Sequence, residues 1–164
     1  MKDKKVTAII LVAGNSTRYG QNKNKNLELL NNKTILEYSL NEFNKNKNIS
    51  DIIITCKESE LDSINEIVYK SRGLKPIKTV IGGATRQESV FNSINSTDSD
   101  IVIIHDGARP MIKQNYIDSS LDEMNNFKLE NDNIYFVGDG AGKAGNIVTA
   151  AATGLVAARD ILSK

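Results

Sequence analysis

Three short stretches of this chain hold the residue types and spacings that phosphate chemistry requires. The first is Ala8 to Lys25, AIILVAGNSTRYGQNKNK, where the apolar run Ile9, Ile10, Leu11 and Val12 stops at Ala13-Gly14. A polar loop follows with Asn15, Ser16, Thr17, Arg18 and Gly20, and then Lys23 and Lys25. A buried strand that empties into a small-residue loop presents backbone N–H groups to a phosphate. Glycine at the turn lets the backbone approach without a Cβ in the way, and Arg18 and Lys25 supply the positive charge a polyphosphate needs. No Gly-Lys-Ser/Thr closes the loop as in a Walker A motif, and Gly14 and Gly20 lack the middle glycine of a dinucleotide fingerprint. An ordinary βα turn with solvated lysines is the competing reading.

The second stretch is Gly82-Gly83-Ala84-Thr85-Arg86-Gln87-Glu88-Ser89, after Val80-Ile81. Paired glycines permit a tight turn with exposed backbone groups, and Thr85 and Glu88 have the spacing of a capping box. That box accounts for those two residues but not for Arg86 and Ser89, which share one side of the helix start. The third is His105-Asp106-Gly107-Ala108-Arg109-Pro110, directly after Ile101–Ile104. An acid ending a buried parallel strand is placed to hold Mg²⁺ against a phosphate; a helix or turn cap is the alternative for Asp106. Arg109 pairs either with an anionic substrate or with Asp106 itself. His105 reads as a satisfied strand-end histidine, because a lone histidine has no partners for a metal site.

The elements that must position these loops follow from hydrophobic periodicity. Continuous apolar runs predict strands at Thr7–Val12, Asp51–Cys56, Ile77–Ile81, Ile101–His105 and Ile134–Val137, as in a parallel sheet covered on both faces. Helical patterns lie between them at Thr34–Phe43, around Leu61–Val68, at Thr85–Ile94 and at Tyr116–Phe127, with a small-residue helix from about Gly145 to Leu162. The expected fold is a doubly wound, mostly parallel α/β sheet in three layers, Rossmann-like, with ligands at the carboxyl ends of the strands.

Composition narrows the classes. The chain has 164 residues and a formal net charge of +1, which argues against nucleic-acid and acidic-membrane partners. Its single cysteine, Cys56, cannot form an internal disulfide, so a reduced, cytoplasmic setting is the default. No apolar run approaches the ~20 residues of a membrane span, and the charged start MKDKK is not followed by a signal-peptide pattern.

Taken together, AIILVAGNSTRYG, NKTILEYSL, GGATRQESVFNSI and IVIIHDGARP resemble the cytidylyltransferases that make CDP-methylerythritol in non-mevalonate isoprenoid synthesis. The likeness runs in order from about residue 6 to 128, and ribitol-5-phosphate cytidylyltransferases share most of it. The resemblance implies transfer of CMP from CTP to a sugar-alcohol phosphate, with Mg²⁺ and release of pyrophosphate. It implies that Ala13, Gly14, Asn15 and Ser16 cradle the triphosphate and that Arg18 and Lys25 stabilise charge at the α-phosphate. Gly82, Ala84 and Ser89 fall where the family recognises cytosine and ribose, with Gly83, Arg86 and Gly107 also on the nucleotide. Asp106 matches the magnesium carboxylate and Arg109 the residue that contacts the acceptor. Asn-Ser-Thr stands where a second glycine is usual, and Asn24 where a proline is common.

After about residue 128 the likeness ends, so the chain divides into a nucleotide-binding unit over 1–128 and a tail over 129–164. The family's dimer arm is missing, which predicts a weakened homodimer. The tail, from about 131 to 162, resembles the closing segment of FAD-dependent oxidoreductases, where Asp139 would meet the flavin. FAD itself is not expected, because the opening loop is not a dinucleotide-binding unit. A strand and helix that replace missing core, and a join between two genes, are the other readings. A ribitol-5-phosphate cytidylyltransferase, a CTP-binding module that does not complete the reaction and an FAD-binding fragment are the alternative functions.

Overall fold

A computed structural model describes residues 4–14, 24–71, 73 and 75–126. Four parallel strands form its sheet: β1 (Val6–Leu11), β4 (Asp51–Cys56), β5 (Ile77–Ile81) and β6 (Ile101–Asp106), in the order β5-β4-β1-β6. Two short strands, β2 (Leu29–Leu30) and β3 (Lys33–Thr34), make a separate antiparallel hairpin. Helices α1 (Ile35–Lys45), α2 (Leu61–Lys70), α3 (Arg86–Ile94) and α4 (Gln114–Asn126) complete the described elements.

Side chains alternate across the pleat and divide the core in two. Ala8, Ile10, Ile52, Ile54, Ile101 and Ile103 pack with Leu36, Leu40 and Phe43 of α1, Ile64 of α2 and Ile117 and Leu121 of α4. Ile9, Ile53, Val102 and Ile104 face the other way, onto Val90 and Ile94 of α3. Helices therefore cover both faces, as the continuous apolar runs predict. Among the described strands β5 is at a sheet edge, with Lys78 and Ile81 exposed, while Ile77 and Val80 still pack on the two core faces. A charge on an unpaired edge opposes pairing with another chain.

Helix starts are chemically fixed. The Thr85 hydroxyl accepts from the Glu88 N–H and the Glu88 carboxylate accepts from the Thr85 N–H, each at 3.1 Å. The predicted capping box is thus present, and a second one joins Thr34 and Glu37 at the start of α1. Among the described residues no helix is long and apolar enough to cross a membrane. The predicted strand at Ile134–Val137, the last helix and Asp139 lie outside the described residues.

The order of strands decides where a ligand goes. From β1 the chain moves outward through β4 to β5, then returns to place β6 on the other side of β1. The ends of β1 and β6 therefore flank the switch point, where an open α/β sheet forms a crevice at its carboxyl edge. Register aligns its walls, since Leu11 pairs with both Thr55 and Asp106.

Candidate active site

A cleft of about 630 Å³ occupies that crevice. The end of β1 contributes Ala13 and Gly14, and a 3₁₀ turn over Lys25–Leu27 contributes Lys25 and Asn26. Gly83, Ala84, Thr85, Arg86 and Ser89 come from the loop after β5 and the first turn of α3, and Asp106, Ala108 and Arg109 from the end of β6. All three stretches singled out by their chemistry reach one space. Arg18, Asn15 and Ser16 lie outside the described residues.

Charge in the cleft is arranged around one carboxylate. Arg86 Nη2 lies 3.1 Å from Asp106 Oδ1, and Arg109 Nε lies 3.5 Å from Asp106 Oδ2. Of the two pairings open to Arg109, the one to Asp106 is therefore present. Lys25 and Lys57 add two further cations to the lining. Four cations against one acid make a site for an anion of several charges.

Two glycines act by close approach. A Cβ on Gly82 would come within 2.7 Å of Ser89 Oγ and 2.8 Å of Ala13 Cβ, so its absence lets the loop after β5 close on the end of β1. Gly107 does not line the cleft. Its N–H donates to the Leu11 carbonyl at 2.9 Å, and a Cβ there would meet Val12 Cγ1 at 2.5 Å. It sits beneath the site, closing β1 against β6. Ser89 is buried; its hydroxyl accepts from the Gly83 N–H at 3.1 Å and donates to the Thr85 carbonyl at 2.9 Å, which shapes the glycine turn.

His105 takes a structural place. It is 2% exposed, stands edge-on to Phe43 at 5.3 Å, and its Nε2 lies 3.1 Å from the Arg109 carbonyl and from Ser39 Oγ. A carbonyl only accepts, so the proton sits on Nε2. Burial pushes its pKa down to about 4, keeping the ring neutral at pH 7.

Lys57 and Asn26 escape the sequence reading. Lys57 follows β4, whose end adjoins β1; that adjacency, rather than any motif, is the signal for it.

A family model described as 2-C-methyl-D-erythritol 4-phosphate cytidylyltransferase matches residues 6–137. The chain belongs to that family. The cytidylyltransferase match runs past residue 128, where the resemblance read from motifs ends. The chain is 41% identical over 116 residues to the 2-C-methyl-D-erythritol 4-phosphate cytidylyltransferase of Clostridium acetobutylicum, covering 70% of this chain and 51% of the relative. That of Lachnoclostridium phytofermentans is 40% identical over 122 residues, covering 73% and 52%. The chain thus spans about half the length of the curated cytidylyltransferases it matches. Among solved structures, 4-diphosphocytidyl-2C-methyl-D-erythritol synthase from Anaerococcus prevotii superposes with a TM-score of 0.64 at 24% identity, covering 84% of this chain and 60% of that one. CMP:2-keto-3-deoxy-manno-octonic acid synthetase complexed with CTP superposes at 0.61 with 15% identity, covering 74% and 48%. At such identities the likeness is one of fold, the Rossmann-like nucleotidyltransferase fold.

Proposed function

We propose that this chain forms the nucleotide half of a cytidylyltransferase that moves CMP from CTP to 2-C-methyl-D-erythritol 4-phosphate. The observation that carries the reading is the cationic cleft at the sheet's switch point, lined by Lys25, Lys57, Arg86 and Arg109, the two arginines paired with Asp106. An acceptor phosphate oxygen attacks the α-phosphorus in line; the bond to the bridging oxygen breaks, and its electron pair leaves with pyrophosphate. No covalent nucleophile is needed, so catalysis rests on positioning and charge neutralisation. Ala13, Gly14, Asn15 and Ser16 hold the triphosphate, Arg18 and Lys25 neutralise the α-phosphate, and Gly82, Gly83, Ala84 and Ser89 face cytosine and ribose. Arg109 turns from Asp106 to the acceptor's phosphate.

Nucleotidyl transfer of this class uses a divalent metal ion. Among the described residues no three His, Cys, Asp or Glu side chains converge to hold one. A lone half-buried carboxylate, Asp106, fits Mg²⁺, which keeps waters and takes most of its ligands from phosphates. Bound there, the ion would neutralise charge at the reacting phosphate.

The test is pyrophosphate release from CTP and Mg²⁺, with 2-C-methyl-D-erythritol 4-phosphate and ribitol 5-phosphate supplied separately. Release with the first acceptor, lost in Arg18→Ala, supports the proposal; release only with the second reassigns the acceptor. A second reading is CTP binding without turnover. Bound CTP with no release from either acceptor would establish it.

A further inference from the structure

Lys25 lies between two buried amides. Asn24 is 6% exposed and Asn26 3% exposed, although the lysine between them is exposed. Asn24 Nδ2 donates to the Val12 carbonyl at 2.9 Å and to Glu60 Oε2 at 2.7 Å. Its Oδ1 accepts from the Asn26 backbone N–H at 3.0 Å and from Asn26 Nδ2 at 2.7 Å. Asn26 Nδ2 also approaches the Val12 carbonyl at 3.4 Å. Asn24 thereby uses both amide protons and both lone pairs of its oxygen.

A turn this short needs no such network. One side-chain acceptor caps it, and an exposed Ser or Asp suffices for that. Here the amides are buried instead, at a cost: among the described residues Asn26 Oδ1 has no hydrogen-bond partner, and it lies 3.3 Å from where a Cβ on Gly107 would stand. Turning that amide over would set oxygen against the Val12 carbonyl and Asn24 Oδ1, so the orphan orientation is fixed by its neighbours. The bonds of both amides to the Val12 carbonyl fix the backbone on either side of Lys25 to the chain leaving β1, which carries Ala13 and Gly14, and the bond to Glu60 braces Asn24 from the other side.

We propose that Asn24 and Asn26 are positioning residues for Lys25, locking its main chain to the end of β1 so that the backbone beneath the lysine needs no ordering when it meets a nucleotide phosphate. This rests on the proposed nucleotide site. The lysine's amine contributes where its origin is held still, because orientation fixed beforehand is not lost again on binding.

The test is a double-mutant cycle on CTP binding by calorimetry, using the full chain. Asn24→Ser is the informative variant, since serine still caps the turn but loses both amide donors. Lys25→Ala is expected to weaken CTP binding roughly tenfold or more, the worth of a hydrogen bond to a charged group. Asn24→Ser is expected to weaken it severalfold in the wild-type background and not at all in the Lys25→Ala background. Equal losses in both backgrounds, or no loss in either, overturn the clamp. Equal CTP affinity of wild-type and Lys25→Ala proteins overturns the role of Lys25 itself, and with it the nucleotide reading, which separates the two failures. Asn26→Ala is a second probe: faster amide exchange confined to Lys25–Leu27 supports the clamp, and unchanged exchange there counts against it.

Discussion

Arg86 and Asp106 meet at 3.1 Å across twenty residues of sequence, tying the first residue of α3 to the last residue of β6. Both are partly exposed, so the pair contributes little to stability, within about 1 kcal/mol. Arg86→Ala is therefore expected to unfold at nearly the wild-type urea concentration. Its effect is on the ligand: CTP binding by calorimetry at fixed Mg²⁺ should weaken severalfold. A large loss of stability with unchanged binding would make the pair a structural strut.

Lys57 enters the cleft from a strand that carries no motif. Lys57→Ala should weaken CTP binding severalfold and cytidine binding hardly at all, because a lysine addresses phosphate as a point charge. The difference should shrink as salt is raised.

Gly107 and Gly14 separate packing from binding. Gly107→Ala forces a Cβ to 2.5 Å from Val12 Cγ1 and 3.1 Å from the Leu11 carbonyl, and overpacking of this kind costs about 1–3 kcal/mol. Among the described residues nothing lies within 4 Å of the Cβ position of Gly14. Gly14→Ala should keep the wild-type midpoint in denaturant while weakening CTP binding.

His105 sets a pH dependence with a definite sign. Its folded-state pKa, about 4, lies below its ordinary value of 6.5. The unfolded chain therefore takes up the proton first, and stability falls as pH drops from about 6.5 toward 4. The 2.5-unit gap corresponds to about 3 kcal/mol. Urea midpoints across that window should flatten in His105→Gln, and an unchanged slope would assign the acid loss to other groups.

The strands were legible because apolar runs such as IIIT and IVII have no other reading between charged loops. The loops at their ends were legible because glycines and charges concentrate there. The β2–β3 hairpin was not anticipated, although Asn31-Asn32 marks it: both residues adopt positive φ, 49° and 63°, which asparagine tolerates in a two-residue turn. Asn24 and Asn26 were hidden for another reason. Asparagine is ordinarily a surface residue, and only the tertiary approach of Glu60 and Val12 buries these two.

The cleft draws on the ends of several strands, and the two that flank β1 are Asp51–Cys56 and Ile101–Asp106. No segment that stops short of residue 106 contains the cavity, however well its own helices form. Ligand capture and completion of the sheet are in this sense one event. A nucleotide that binds only the finished sheet must raise the unfolding midpoint with its concentration, as mass action requires. Its affinity is then a measure of how much of the population has closed the sheet.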